Sequence, residues 1–293
     1  MLCLNYKRNL LTYCLGVLLT LALSFAPLQA QRDITIGIEG VYKPWGFAAH
    51  DGTLVGMEIE LVELLCKKMQ TKCTLEAHNW NGLIPSLMSG KFDVVVGLSI
   101  NSDRRRVINF TDPYALDPSG FIVLKDSSIA ALIGSKFEEI NMDTMPKLAE
   151  SVIEQMRSSL KGLVIGAQVG TANMAFLKKY FSDLVRIREY DTIEQHNIDL
   201  RSKRIDAIFA HKHAVFAPAK LSDIMQDFTL AGPTFSGGVL GVGIGAGIRK
   251  GDTELAKALN NAIASAISKK QLKELFVKWF GADLSPPQRV DIN

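Results

Sequence analysis

The chain has 293 residues, enough for one large domain or two ordinary ones with a sizeable core. Apolar residues make up 47% of the chain and charged residues 22%, which is typical of a globular protein. The formal net charge of +3 is too small to indicate a polyanion, so we expect no nucleic-acid partner.

The first thirty residues have the pattern of a secretory signal peptide. Lys7 and Arg8 precede an apolar run over residues 10–25, and a small residue, Ala30, stands at a position suited to cleavage. A retained membrane anchor is the alternative, although the run is short for a span. Cleavage near Ala30 removes two of the 33 basic residues and none of the 30 acidic ones, which leaves a net charge of +1. We therefore expect an exported protein.

Two of the four cysteines fall in the predicted signal, which leaves Cys66 and Cys73. Export favours a disulfide between them. Their segment, LLCKKMQTKCTL, has the pattern of a helix end that turns into a strand, so a local bridge is plausible. Two free thiols are the alternative.

From Asp33 onward, strand and helix patterns alternate, which predicts an α/β protein with parallel strand pairing. FDVVVGLS is a nearly continuous apolar run, as expected for a strand that is buried on both faces. The segments before it read in turn as strand, helix, strand and helix: ITIGI, GMEIELVELLCKKM, CTLEAHN and WNGLIPSLMSG.

The second half of the chain repeats this plan. LMSGKFDVVVG and LRSKRIDAIFA align at a constant offset of 113 residues, which indicates two related lobes. Chance similarity between α/β units is the alternative. We assign residues 31–116 and 235–293 to lobe 1 and residues 117–234 to lobe 2, with a helical insertion near 127–160. Two crossover segments between lobes would form a cleft that can close about a hinge.

Three successive arginines, residues 104–106, follow one apolar strand in GLSINSDRRRVINF. Successive helix residues point about 100° apart, so at most one guanidinium can enter a given pocket. Asn101 or Ser102 is a candidate N-cap, and the strand is expected to end at Ser99, where open α/β sheets bind ligands. One arginine, the Ser99 hydroxyl and backbone N–H groups would suit a carboxylate. The alternative is a solvated basic helix end.

Motifs of common enzyme classes are missing from the sequence: there is no G-x-S-x-G, H-E-x-x-H or P-loop. We therefore expect a protein that is not an enzyme and that needs no cofactor. His211 and His213 in AHKH could bind a metal at strand spacing, but we favour a surface or cleft role and expect no metal site.

The mature chain, from Asp33 to about Pro287, resembles the periplasmic solute-binding proteins of polar amino-acid ABC transporters, family 3. The matching motifs are WNGLIPSL, SINSDR, FTDPY and GVGIGAGIRKGD. The opine-binding members, of the octopine and nopaline type, look most similar, through the cysteine spacing, the insertion, REYDTIEQHNIDL and GPTFSGG. The resemblance implies the two-lobed type II periplasmic-binding-protein fold, with two α/β lobes joined by two crossover strands. It also implies a monomer that delivers a small-molecule ligand to a membrane permease.

The resemblance also assigns residues of the first lobe. It implies that Arg104 grips the ligand's α-carboxylate, with help from Ser99 and the backbone at Gly97. Glu39 is then a candidate counter-ion for a cationic end of the ligand, and Tyr42 lies with it at the cleft.

Further residues follow from the same resemblance. Trp80 is expected to stack on the ligand side chain as a cation–π partner. In lobe 2 the resemblance implies backbone contacts from Gly170, Thr171 and Ala172. The alternatives are core packing for Trp80 and Tyr42 and a surface position for Glu39.

His211 departs from the family pattern, because it stands where the family has an aspartate that binds the α-ammonium. Opines carry a secondary amine with an extra carboxylate, to which a histidine could donate. We therefore expect an opine or a related arginine-derived ligand. The alternatives are an ordinary cationic amino acid, a periplasmic cyclohexadienyl dehydratase and a sensor domain.

Overall fold

The computed structural model describes residues 33–129, 139–214 and 224–288. The predicted signal peptide and residues 130–138 of the predicted insertion lie outside the described residues. Within the three described ranges, no helix is long and apolar enough to cross a membrane.

The first sheet has five strands. Three parallel strands stand at one side, and the fourth runs antiparallel to both of its neighbours. In sheet order the strands are β5 (Cys73–Ala77), β1 (Ile34–Ile38), β6 (Val94–Ser99), β14 (Ile244–Ile248) and β7 (Asn109–Phe110). A small antiparallel sheet adds β2 (Val41–Tyr42), β3 (Gly46–Ala48) and β4 (Leu54–Val55). The accompanying helices are α1 (Met57–Met69), α2 (Trp80–Met88), α3 (Ser102–Arg105), α7 (Thr253–Ser268) and α8 (Gln271–Phe280).

The second sheet has six strands, of which three are again parallel neighbours at one edge. In sheet order they are β11 (Arg186–Tyr190), β10 (Val164–Gln168), β12 (Ala207–His211), β8 (Ser119–Leu124), β13 (Phe228–Ser236) and β9 (Glu139–Asn141). Its helices are α4 (Pro146–Leu160), α5 (Ala172–Phe181) and α6 (Ile193–Arg201).

The 113-residue repeat has the same structural role in both sheets. Asp93 accepts a hydrogen bond from the Thr35 amide at 3.0 Å, and Asp206 accepts one from the Val164 amide at 2.7 Å. Each aspartate thereby ties the start of one parallel strand to the start of its neighbour. The shared sequence pattern therefore marks the same corner of two related α/β units.

The chain passes between the sheets twice, from β7 to β8 and from β13 to β14. This arrangement confirms the predicted fold of two α/β lobes joined by two crossovers. Each lobe has its own core. One contains Trp45 packed against Phe276 and Phe280, and the other contains Phe176 stacked on Phe209 with 4.5 Å between ring centroids. The lobe boundaries at residues 116 and 234 stay a prediction.

The predicted disulfide is present. Cys66 near the end of α1 is bonded to Cys73 at the start of β5. The helix ends at Gln70 in the left-handed conformation, which reverses the chain toward the strand and brings the two residues together. The described part of the predicted insertion contains β9 and α4, so it is not wholly helical.

Candidate functional site

A cavity of about 690 Å³, partly open to solvent, lies between the carboxyl ends of the parallel strands of the two lobes. Nine of the ten predicted ligand-binding residues line it: Glu39, Tyr42, Trp80, Gly97, Ser99, Arg104, Thr171, Ala172 and His211. The tenth, Gly170, borders it through a carbonyl that Arg104 contacts. The sequence thus brings together residues that are up to 172 positions apart.

Arg104 is the buried member of the three arginines, with 8% of its surface exposed, whereas Arg105 and Arg106 are exposed. The side chain of Asn101 accepts the Arg104 amide at 3.0 Å and caps the short helix α3, which confirms one of the two predicted caps. β6 ends at Ser99, as predicted. The cap fixes the first turn so that the side chain of Arg104 enters the cavity.

The guanidinium of Arg104 donates to the carbonyl of Ser99 at 3.1 Å and, across the cleft, to the carbonyl of Gly170 at 3.2 Å. Neither partner carries a charge, and Arg104 forms no ion pair with any described residue. Burial therefore lowers the pKa of Arg104 to about 10. A buried cation of this kind is a binding site for an anion.

Trp80 lies next to this cation. The centre of the Arg104 guanidinium is 5.3 Å from the centroid of the indole ring, a cation–π distance. The prediction placed a ligand cation over this ring, whereas in the structure the protein's own arginine lies there. Trp80 therefore positions Arg104 as well as lining the cavity.

Two acids also line the cavity. Glu39 at the end of β1 is 8% exposed and accepts a hydrogen bond from Gln168 of the other lobe. Glu58 in the first turn of α1 is 3% exposed and accepts one from the Tyr114 hydroxyl. Neither acid forms an ion pair with a described residue, so this region has unbalanced negative charge whenever the acids ionise.

Burial raises the pKa of both acids to about 7. Loss of hydration is the largest cause for each, and the charge of Glu39 adds to the rise at Glu58. The pKa of Tyr42 is raised in turn, first by burial and then by neighbouring acids that include Asp117. A cation that enters this region would favour the ionised form of the acids.

Gly97 lines the cavity in a different way from the prediction. Its amide donates to the Tyr114 hydroxyl at 2.8 Å, so it is occupied within the protein and is not directed at a carboxylate held by Arg104. The residue has φ +83°, a conformation that glycine adopts without strain. Its role is to leave space beside Glu58.

The second lobe contributes the amino end of α5. The Thr171 hydroxyl accepts the Met174 amide at 3.1 Å and caps the helix, while the first-turn amides of Ala172 and Asn173 have no carbonyl partner within the helix. The Asn173 side-chain oxygen is buried without a hydrogen-bond partner. These groups offer two donors and one acceptor to a polar ligand.

His211 ends β12 and separates two cavities. Its Nδ1 lies 2.8 Å from the Asp117 carbonyl oxygen, so Nδ1 carries the proton and donates. In the tautomer that carries only this proton, Nε2 is an acceptor. His213 is directed away from the ligand cavity and pairs with the Asp117 carboxylate at 2.8 Å. Among the described residues, no cluster of histidine, cysteine and acid is placed to hold a metal ion.

Sequence reasoning did not identify Glu58, Gln168 and His196, which also line the cavity. The sequence does contain a signal for Glu58, because this acid falls on the same face of α1 as the buried Leu61, Val62 and Leu65. An acid on an apolar helix face is unusual and indicates a paired or functional carboxylate. Gln168 and His196 had none. His196 is 2% exposed, and burial lowers its pKa to about 4, so it is neutral.

Comparison with known proteins identifies the family of the chain. The family model for bacterial extracellular solute-binding proteins, family 3, matches residues 34–282. The octopine-binding periplasmic protein of Rhizobium meliloti is 37% identical over 275 residues, covering 87% of this chain and 92% of the relative. The histidine-binding periplasmic protein of Escherichia coli K12 is 30% identical, covering 91% and 96%.

Solved structures have the same fold. An ancestral arginine-binding protein bound to arginine superposes with a TM-score of 0.68 at 27% identity, covering 85% of this chain and 98% of that one. The family match spans both lobes and every residue that lines the cavity. The chain belongs to the bacterial extracellular solute-binding proteins of family 3.

Proposed function

We propose that the protein is the periplasmic substrate-binding component of an ABC importer and that it captures an opine or a related arginine-derived amino acid. One observation carries the proposal: a buried arginine without an anion and two buried acids without a cation line a single cavity. A ligand with a carboxylate at one end and a guanidinium at the other supplies both missing charges.

His211 favours an opine over an ordinary amino acid. A primary α-ammonium is best matched by a carboxylate, and a neutral imidazole supplies an acceptor without a charge. In an opine, the carboxylate on the amine substituent already compensates the ammonium, so an acceptor is sufficient. When protonated, the same ring could donate to that second carboxylate.

Space for the substituent lies behind His211. A second cavity, which is partly open to solvent, borders the first at Ser99, His211 and Ile244. Its wall includes Ser119 together with Glu139, whose carboxylate accepts the Ser236 hydroxyl at 2.8 Å. We expect the second carboxylate of an opine to lie near His211 and Ser119, the two uncharged polar side chains of this wall that also contact each other.

Capture is expected to occur by cleft closure. Arg104 contacts Gly170 and Gln168 contacts Glu39, both across the cleft. A ligand that binds both lobes stabilises the closed form over the open one. A monomer in this form would be presented to the permease in the membrane, after cleavage of the signal peptide near Ala30.

The test is a thermal-shift screen of the purified mature protein with octopine, nopaline, arginine, lysine, ornithine and histidine, since a tight ligand raises the melting temperature. We expect the largest shift with an opine and recovery of that ligand chemically unchanged. Strong shifts with free arginine or lysine and none with either opine would replace the proposal by its alternative, a binding protein for cationic amino acids.

A further inference from the structure

We propose that the insertion predicted near residues 127–160 is a specificity element for the amine substituent of the ligand, and that its residue Glu139 selects against a substituent that ends in a carboxylate. This inference rests on the proposed function. It goes further by giving the insertion a role and by naming the class of opine that the site accepts.

The insertion is bonded to the start of the second crossover. It supplies the edge strand β9, which pairs in parallel with the end of β13. The Ser236 hydroxyl donates to the Glu139 carboxylate at 2.8 Å, and the Met142 amide donates to the Ser236 carbonyl at 2.8 Å. The Gly238 amide donates to the Asp143 carboxylate at 3.1 Å. Three hydrogen bonds therefore hold the insertion against the chain that leaves β13.

Two glycines of the motif GPTFSGG allow this close contact. Gly237 has φ +75° and Gly238 has φ +53°, conformations that glycine adopts without strain. A Cβ added at Gly237 would lie 2.7 Å from Oδ2 of Asp143 and 3.0 Å from Oδ1 of Asn141. The motif and the insertion, which are separate features of the sequence, therefore form one structural unit.

This unit forms part of the wall of the second cavity. Glu139, Asn141 and Ser236 line that cavity together with residues of both crossovers, 116–119 and 240–244. Because the cavity borders the ligand cavity, we expect a long substituent on the amine of the ligand to extend from one cavity into the other.

The second cavity has negative charge. None of the residues that line it is a lysine or an arginine. Asp117 also lines it, but its side chain is fully buried and pairs with His213 at 2.8 Å. Glu139 is exposed, and its one described partner is the uncharged hydroxyl of Ser236. The cavity therefore favours a substituent that donates hydrogen bonds over one that ends in a carboxylate.

The length of the substituent determines whether it approaches Glu139. In the sheet, Ser119 is paired with Phe235, and Phe235 is paired with Ile140, the residue after Glu139. Two strand spacings, about 10 Å, thus separate the backbone of Ser119 from β9. The carboxyethyl group of octopine ends at the carboxylate that we expect near Ser119. The dicarboxypropyl group of nopaline has a further carboxylate on a longer chain, which we expect to extend toward Glu139.

The test compares nopaline with its terminal carboxamide, which has nearly the same shape and no charge at the outer end. Calorimetric titrations would use the wild type, Glu139→Gln, and Glu150→Gln as a matched control on an exposed position of α4 in the same insertion. We expect the wild type to bind the carboxamide about threefold or more tightly than nopaline, since like charges about 4 Å apart in water change an affinity about fivefold. Glu139→Gln, which keeps an acceptor for Ser236, should bind the two equally, and Glu150→Gln should match the wild type.

Octopine is titrated in parallel, because its substituent ends short of Glu139, and its affinity should agree within about twofold among the three proteins. Equal binding of nopaline and its carboxamide by the wild type, or a preference that persists in Glu139→Gln, would overturn the inference while octopine binding upholds the proposed function. Equal losses of all three ligands in Glu139→Gln would also overturn it and leave Glu139 a structural partner of Ser236. If the wild type binds none of the three, the proposed function fails and the inference fails with it.

Discussion

Replacement of Arg104 by alanine tests the carboxylate site. This arginine is 8% exposed, donates to two uncharged carbonyls and lies over the ring of Trp80. The carboxylate of a bound ligand would be the first anion in contact with the Arg104 guanidinium. Truncation would leave that carboxylate buried without its charged partner.

The expected cost is about 2–5 kcal/mol of binding free energy, the range for loss of one partner of a buried, hydrogen-bonded charge pair. This corresponds to a dissociation constant about 30- to 5000-fold weaker. The stability of the protein without ligand should change less than the binding free energy, because the substitution removes two hydrogen bonds but also an unpaired buried charge. Thermal unfolding without ligand would measure that part separately.

Arg105→Ala is the matched control. Arg105 is exposed and lies over the ring of Phe110 at 5.7 Å, so its removal should change binding free energy by less than about 0.5 kcal/mol. Isothermal titration calorimetry with the tightest ligand from the screen would compare both variants with the wild type. Equal losses in the two variants would refute the assignment of Arg104.

Three further predictions concern the acid, the histidine and the disulfide. Because burial raises the pKa of Glu58 from 4.5 to about 7, folding takes up a proton between those values and stability falls as pH rises through them. Glu58→Gln should therefore unfold at a higher temperature than the wild type near pH 8 and match it below about pH 4.5; a difference independent of pH, measured by scanning calorimetry, contradicts this. His211→Asp should raise the affinity for free arginine relative to that for octopine by about tenfold or more, since it supplies a charged partner for a primary ammonium. Competition binding measures the ratio of the two affinities, and an unchanged ratio would exclude His211 from the amine site. Cys66→Ser should lower the free energy of unfolding by about 2–3 kcal/mol relative to the oxidised wild type, given the short loop that the disulfide closes. Denaturant titration of the two proteins measures this difference, and equal free energies of unfolding would contradict the prediction.

Part of the carboxylate end could be predicted from local sequence, whereas the choice of Arg104 among the three arginines came from the family resemblance. Helix geometry limits the three arginines to one cavity-facing member, and an asparagine cap fixes which turn it occupies. The 113-residue repeat revealed the two lobes, because the aspartate in each copy has the same hydrogen-bonding role. The helix cap depends on neighbours that are close in the chain, whereas the two aspartates bond amides 58 and 42 positions away and were detected through the repeat.

The cationic end depends on contacts that no local pattern specifies. Gln168 reaches Glu39 across 129 positions, and Glu58 meets Tyr114 across 56. The contact of Trp80 with Arg104 likewise joins residues of two separate helices, α2 and α3. An acid in the first turn of a helix normally reads as a partner of the helix dipole, and so Glu58 was assigned no function from sequence.

The central claim is that the cavity accepts an arginine-derived ligand whose amine bears a second carboxylate. The most direct measurement is a calorimetric comparison of octopine and free arginine with mature protein that has been unfolded and refolded to remove carried-over ligand. We expect octopine to bind at least about tenfold more tightly than arginine, because His211 offers an acceptor without a charge. Tight binding of arginine with no measurable binding of octopine would contradict the claim.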